Sequence, residues 1–397
     1  MKHKSLLFIL VMASLAAFGP LSIDMYLPAL PEVKDELHST TAEVQLTLSF
    51  FMFGLALGNI IFGTLSDTTG RKKPLIFSLI VYIVVSLFSA VVNEVTLLTL
   101  LRFIQGIAGG AGIVLSRAIS SDLYKGKDLT KFLALLMLVN GAAPVFAPML
   151  GGFILSFFSY RAIFLFLTLL SSLMLLGVIT KVPESLPLNL RRESSLIAVI
   201  KDYQSLITRK SFILPILIQG FTFAIFFSYM AASPFILQNI YQLNAQQYSY
   251  VFALTGFGLI LNAQITARLV NYIDQQKLFR FYSSLQIIAG IIVIISLLNH
   301  WSLWVLIPAF LFIVAPVSGV ATLGFSLAMN GQKKSVGSAS SLIGLLQYFI
   351  GAVATPLVGL QGEESVIPYI IVSALVSFII IMLHIINYKI NLNNQTI

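Results

Sequence analysis

Apolar stretches of about 20 residues recur along the whole chain, divided by short polar or charged breaks. They run over 5–30, 45–64, 74–92, 96–120, 131–157, 161–182, 211–237, 247–269, 277–298, 302–328, 337–360 and 365–388. About 20 residues at about 1.5 Å each cross the hydrocarbon layer as a helix, whereas a spanning strand needs only about 10. A backbone in lipid must pair its own N–H and C=O groups, and a helix does so within one segment. The pattern therefore predicts twelve membrane-spanning helices. Connections are short except for one that runs from Pro183-Glu184-Ser185-Leu186-Pro187 to Arg209-Lys210. The expected organisation is a six-helix half at 1–182, a cytoplasmic linker at 183–210, a second six-helix half at 211–388 and a cytoplasmic tail at 389–397. Met1-Lys2-His3-Lys4 and the run behind it imitate a signal peptide, with Ala16-Ala17-Phe18-Gly19 as a cleavage region. That run continues to Pro28, longer than a usual signal core, and many further spans follow it.

Composition agrees with lipid as the solvent. Hydrophobic residues make up 58% of the chain and charged residues 10%, against roughly 25% charge in soluble domains. Mean hydropathy is +0.94. Charge then sets orientation. With the N-terminus in the cytoplasm, only Lys34 and Arg161 of the 24 lysines and arginines fall outside. Arg102 and Arg117 lie within a helix, and all the others lie on the cytoplasmic side. The outer loops carry Glu32, Asp35, Glu36, Glu43, Glu94, Glu363 and Glu364 instead. This asymmetry puts both termini on the cytoplasmic side of the membrane. It also accounts for the net charge of +9 without nucleic acid as a partner. There is no cysteine, and His3, His38, His300 and His384 are scattered without metal-ligand spacing. No paired carboxylates, nucleophile–base set or GxxxxGK[ST] phosphate loop is present. An enzyme is therefore not expected, nor are catalytic residues, a metal or a cofactor.

The most specific motif joins the second and third helices: Gly63-Thr64-Leu65-Ser66-Asp67-Thr68-Thr69-Gly70-Arg71-Lys72-Lys73. Gly63 lets two helices approach, Gly70 suits a turn with positive φ, and the three cations hold the loop inside. This loop resembles the G-x-x-x-D-x-x-G-R-[RK]-[RK] motif of the major facilitator superfamily. The resemblance implies an all-α membrane protein with the twelve-helix major facilitator fold, two six-helix halves related by pseudo-two-fold symmetry. It also implies that Asp67 faces the start of the eleventh helix at 337–341 and that Arg71 reaches Asp122. Gly63, Asp67, Gly70, Arg71 and Asp122 would then form a conformational latch.

The fourth helix carries Arg102-x-x-Gln105-Gly106-x-x-Gly109-Gly110, which resembles the superfamily's R-x-x-Q-G motif, linked there to proton transfer. An arginine within a span faces a cavity or a partner. The acidic residue clearly inside a span is Asp24, and both residues lie about 9 Å from the outer helix ends. Two readings stay open: Asp24 and Arg102 form a proton-coupling site, or Arg102 hydrogen-bonds carbonyls and Asp24 caps a broken helix end. The fifth helix contains Ala147-Pro148-Met149-Leu150-Gly151-Gly152, similar to the antiporter motif G-P-x-x-G-G with alanine for the first glycine. Pro144, Pro148, Gly151 and Gly152 should make a bent, closely packed helix.

Finer resemblance is to the Bcr/CflA group of bicyclomycin and chloramphenicol exporters. It rests on Ser22-Ile23-Asp24-Met25-Tyr26-Leu27-Pro28-Ala29-Leu30-Pro31 and on Ser116-Arg117-Ala118-Ile119 with Asp122-Leu123. It rests also on the run from Ala143 to Gly152 and on Tyr229-Met230-Ala231-Ala232-Ser233-Pro234-Phe235. The resemblance implies a monomeric secondary transporter that exports small, drug-like molecules in exchange for protons by alternating access. The alternative is an exporter or importer of a natural metabolite on the same fold. Candidate cavity residues are Tyr26, Asn140, Phe223, Phe226, Phe227, Met230, Asn262 and Gln347, the aromatic ones at helical spacing and the rest polar or flexible within spans.

Overall fold

Proline placement decides where the first span breaks. In the computed structural model of the chain, the described residues are 6–124, 126–188, 191, 203–329 and 336–395. The chain begins with α1 (Leu6–Ala16), α2 (Phe18–Asp24), a 3-10 turn at Leu27–Ala29 and α3 (Leu30–Glu36). The two arms of this span meet at 56°. The sequence pattern predicts a helix over 5–30, with a broken end at Asp24 as one open reading; the structure breaks it and carries the span to Glu36. The ring of Pro20 excludes the Ala16 carbonyl four residues earlier, and the break falls at Ala17. Pro28 has no N–H to offer the Asp24 carbonyl, so α2 stops there.

The remaining helices are α4 (Thr41–Thr69), α5 (Lys72–Ser89), α6 (Val95–Leu123), α7 (Gly126–Leu155), α8 (Arg161–Lys181), α9 (Lys210–Phe235), α10 (Ala245–Leu269), α11 (Gln275–Leu298), α12 (Leu303–Val314), α13 (Pro316–Met329), α14 (Val336–Leu357) and α15 (Ile367–Gln395). Among the described residues there is no strand. Pro316 separates α12 from α13, which together make one apolar span. Each of the twelve predicted stretches is therefore helical. Exposed leucines form a stripe along α8: Leu165 (51%), Leu169 (59%), Leu173 (58%) and Leu176 (59%). Such a stripe is tolerated where the surrounding solvent is lipid.

The chain divides into two compact units, one of residues 1–198 with 244–250, the other of 199–243 with 251–397. In the first unit α4 packs on α6 through glycines of both helices. A Cβ on Gly54 would stand 2.2 Å from the Phe103 carbonyl oxygen, one on Gly58 2.1 Å from that of Ile107, and one on Gly106 2.1 Å from that of Phe51. Backbone meets backbone here, the small-residue packing that stands in for a hydrophobic driving force in lipid. Gly63, expected to be the point of close approach, is not: a Cβ there would meet only the Val114 side chain, at an ordinary 3.5 Å. The tight interface lies about one and a half to two and a half turns earlier along α4. In the second unit Phe227 of α9 fills the space over Gly351 of α14.

This geometry predicts different tolerances along one helix pair. Gly106→Leu must push α4 and α6 apart, at a cost of about 1–3 kcal/mol or more by overpacking. Gly63→Ala should stay within about 0.5 kcal/mol of the parent. Thermal unfolding of detergent-purified protein checks both; equal melting temperatures for the two variants would contradict the packing.

Candidate functional site

The break in the first span leaves the Ser22 carbonyl without a helical N–H. Met25 N–H bonds Leu21 O and Tyr26 N–H bonds Ile23 O, passing Ser22 by. Arg102 of α6 takes this place, donating from Nη2 to Ser22 O at 3.3 Å. Its Nη1 donates to Gln105 Oε1 at 2.6 Å, and Gln105 Nε2 donates to Ser86 Oγ at 2.8 Å. Aromatic faces enclose the rest of the cation. The guanidinium carbon lies 4.2 Å from the Phe51 ring centroid and 4.8 Å from that of Tyr26. The side chain is fully buried. Ser22 is itself fixed: its hydroxyl donates to Phe18 O at 2.6 Å and receives the Tyr82 hydroxyl at 2.6 Å.

Asp24 ends α2, two residues after that carbonyl, and is buried. Among the described residues it makes no ion pair with Arg102, whose polar contacts are Ser22 and Gln105. The geometry at Arg102 is thus that of carbonyl and aromatic binding. Tyr26 belongs to the same cluster, its hydroxyl 3.2 Å from Thr47 Oγ1. Gly151 of α7 closes over the break, since a Cβ there would lie 2.2 Å from Met25 O. Pro144 and Pro148 stand inside α7 without ending it. Gly152 faces Ser249 and Ala245, whose segment belongs to the same compact unit.

A second polar node forms around Arg71, where Gly70 ends α4 with φ +92°. Arg71 Nη1 donates to Asp67 Oδ1 at 2.5 Å and to Ser66 Oγ at 2.7 Å, and Nε donates to Asp122 Oδ2 at 3.0 Å. Asp67, Gly70, Arg71 and Asp122 are thereby together. The side chains at 337, 338, 340 and 341, the expected partners of Asp67, lie outside the described residues.

Sequence reading missed two members of this node. Glu184 accepts from the backbone N–H groups of Arg71 (2.9 Å), Lys72 (3.2 Å) and Leu186 (3.0 Å). Ser185 Oγ donates to Asp122 Oδ2 at 2.8 Å. Arg71, the N-cap of α5, supplies no side-chain cap; the carboxylate comes instead from more than a hundred residues away. Burial raises the Glu184 pKa, but the three N–H donors and nearby Arg191 outweigh it and hold the carboxyl below its usual range. The available signal was a lone acid after Pro183 at the head of a basic linker.

In the second unit, Phe223, Phe226 and Phe227 form one aromatic cluster, 5.4–6.1 Å between centroids, and Phe227 also meets Tyr348 at 6.0 Å. Gln347 accepts from Gln219 Nε2 at 3.2 Å. Asn262 Nδ2 donates to Ser318 Oγ at 3.3 Å on a different helix pair. Met230 is buried, and the Asn140 side chain lies outside the described residues. An apolar groove of about 500 Å³ between α9, α14 and α15 is lined by Phe221, Phe349, Ile350, Val353 and their neighbours, with none of these candidates.

The profile of the Major Facilitator Superfamily matches residues 10–356. The chain is 36% identical to the "Uncharacterized MFS-type transporter YdgK" of Bacillus subtilis (strain 168), covering 90% of this chain and 89% of the relative. It is 28% identical to the "Bicyclomycin resistance protein homolog" of Haemophilus influenzae, with 92% of each covered. It is 25% identical to the "Multidrug resistance protein MdtL" of Shewanella sp. (strain ANA-3), covering 94% and 95%. Among solved structures the nucleoside transporter NupG superposes with a TM-score of 0.77 at 12% identity, covering 95% of this chain and 99% of that one. This last likeness concerns the fold.

Removing the linker carboxylate should loosen the node. Glu184→Gln leaves the α5 N-terminus with a weaker acceptor and should cost about 1 kcal/mol, the usual scale of a helix cap. A depressed carboxyl contributes stability above its unfolded pKa and loses it as pH falls through the folded one. Parent and variant should therefore differ at pH 7 and converge only once the pH has fallen through the depressed carboxyl, below the usual glutamate range. Limited proteolysis of the linker across this range measures it; an equal difference at both ends would mean that the charge is not what matters.

Proposed function

The chain belongs to the major facilitator superfamily, and from that premise we propose that it exports small, drug-like molecules across the bacterial cytoplasmic membrane in exchange for protons. The observation that carries this reading is Asp24, a buried carboxyl without a partner among the described residues, at a helix break held by a buried arginine. A carboxylate buried without a partner is costly, and its protonated form far less so. Loss of its proton therefore calls for water, a cation or a rearrangement. Arg102 is wired to the backbone two residues away, so a shift of the break alters the surroundings of Asp24 without direct contact between them. A cationic or polar cargo that enters beside Asp24 could replace the proton, and one site then alternates between the two. The names of the relatives point to drugs as cargo.

In this reading both termini, the linker and the tail lie in the cytoplasm, where the basic loops concentrate. The Arg71 node is then a cytoplasmic latch: Asp67, Arg71, Asp122 and Glu184 hold α4, α5 and α6 to the linker when that side is closed. Gly151 and Gly152 give α7 a smooth surface on which the closed and open arrangements can exchange. The aromatic cluster of Phe223, Phe226 and Phe227 supplies apolar contact for cargo, with Tyr26, Met230, Asn262 and Gln347 as further candidates. The protein acts as a single chain.

Asp24→Asn should reach the membrane normally yet release no proton when cargo is added. Arg102→Ala should reduce coupling more than binding, and Arg102→Lys should recover part of it, because charge returns without the planar fork. Proton release and cargo binding are measured on purified protein with bicyclomycin and ethidium at several pH values, beside pH-driven uptake in inverted vesicles. Normal pH-driven transport by Asp24→Asn would sink the carrier role.

A further inference from the structure

At one end of the second unit, α11 and α15 leave a groove of about 480 Å³ with a charged mouth and an apolar wall. Arg280 stands five residues into α11, about 7.5 Å from its start. Tyr388 closes the apolar window of α15, and His384 lies one turn before it. These are the positions of a membrane–water interface, with the tyrosine in the aromatic belt. The wall continues into Ile381 (44% exposed) and Ile385 (45%), on the face of α15 that meets lipid.

The polar groups at the mouth are under-used. Arg280 donates from Nε to Gln276 O of its own helix at a long 3.4 Å, and its guanidinium lies 5.4 Å from the Tyr388 ring. Among the described residues no carboxylate pairs with it. His384 packs against Phe279 at 5.5 Å, and both its ring nitrogens are buried without a partner. Between 268 and 280 the chain has Arg268, Lys277 and Arg280 against Asp274 alone. The Asp274 carboxylate is already engaged with the N–H groups of Gln276 and Lys277. The local field is positive, and among the described residues no carboxylate pairs with Arg280.

We propose that this groove binds an anionic phospholipid of the surrounding bilayer, its phosphate on Arg280, its headgroup polar atoms serving His384, and one acyl chain along Ile381 and Ile385. A soluble anion would use the arginine and leave the apolar wall open; an uncharged lipid would use the wall and leave the arginine unpaired. An anionic lipid meets both demands, and basic pockets between helices at this depth suit such headgroups.

Native mass spectrometry of the detergent-purified full chain, titrated with dioleoyl phosphatidylglycerol or dioleoyl phosphatidylcholine, tests the assignment. The expected result is retention of phosphatidylglycerol at several-fold lower concentration than phosphatidylcholine. Arg280→Gln should abolish that preference, Arg280→Lys should keep part of it, and Arg268→Gln, away from the groove, should leave it intact. Ile385→Trp fills the groove without touching the charges and should also lower retention; it carries the test if Arg280→Gln melts early. Equal retention of the two lipids by the parent would overturn the proposal. So would an unchanged preference in both Arg280→Gln and Ile385→Trp, or an equal loss in Arg268→Gln. Displacement by glycerol 3-phosphate as effective as by whole lipid would make this a soluble-phosphate site and also overturn it.

Discussion

The bond from Arg102 to the Ser22 carbonyl settles two problems that neither residue could settle alone. A cation fully buried in a helical bundle needs acceptors, and a helix broken within a span needs donors. Pro20 and Pro28 break the first span and free a carbonyl; Arg102 fills it from α6 with Nη2, Gln105 takes Nη1, the Phe51 and Tyr26 rings flank the cation, and Nε stays buried without a partner. The consequence for Asp24 is positional. It stands at the end of a short helix whose backbone is pinned from another helix, so its surroundings are set by that pin. With no carboxylate as its partner among the described residues, Arg102 can respond to a charge that appears near the break.

Both polar nodes of the first unit hang on the same helix pair. Phe51 and Asp67 lie on α4, Arg102 and Asp122 on α6, and the 20 residues from Arg102 to Asp122 span about 30 Å of helix. Between the nodes, Gly54, Gly58 and Gly106 lock the two backbones together at distances that admit no Cβ. A pair packed in this way moves as one body. A tilt that relieves one node must therefore displace the other, which gives a mechanical route from the helix break to the Arg71 cluster without a chain of polar contacts. Glu184 adds the linker to the same body through the N-terminus of α5.

Much of this was legible in the sequence because lipid imposes simple rules. Twelve apolar stretches became helices, since a span has few alternatives to helix. The Gly70 turn follows from the spacing of the 63–73 motif, and the Arg71–Asp122 pair from the family resemblance that the motif carries. What escaped depends on contacts that no local pattern encodes. The helix glycines 54, 58, 106 and 110 look like 63 in sequence, yet only the facing backbone decides which of them touch. Glu184 acts through three backbone N–H groups, two of them far along the chain, and a lone glutamate after a proline announces no such role. Hydrophobicity over 5–30 marks the first span but not where it breaks, which Pro20 and Pro28 decide. The break is where the polar chemistry gathers.

Buried charge is distributed unevenly. The charged residues buried among the described ones are Asp24, Arg71 and Arg102, all in the first unit. The second unit buries neutral polar groups instead: Gln219 donates to Gln347, Tyr229 meets Thr255 at 3.3 Å, and Gln286 donates to the carbonyls of Thr222 and Ile313. Amides and hydroxyls orient a ligand, but they do not change charge at physiological pH. Under the proposed exchange, a proton on Asp24 therefore acts directly on the first unit. The second must sense it through the cargo or through the shift of helices, and its aromatic cluster, without charge of its own, can accept apolar cargo in either protonation state. If the proposed exchange holds, that division suits one ion and varied cargo: the proton chemistry would sit on a pinned helix break, and the surface that tolerates variety would be built of rings and amides.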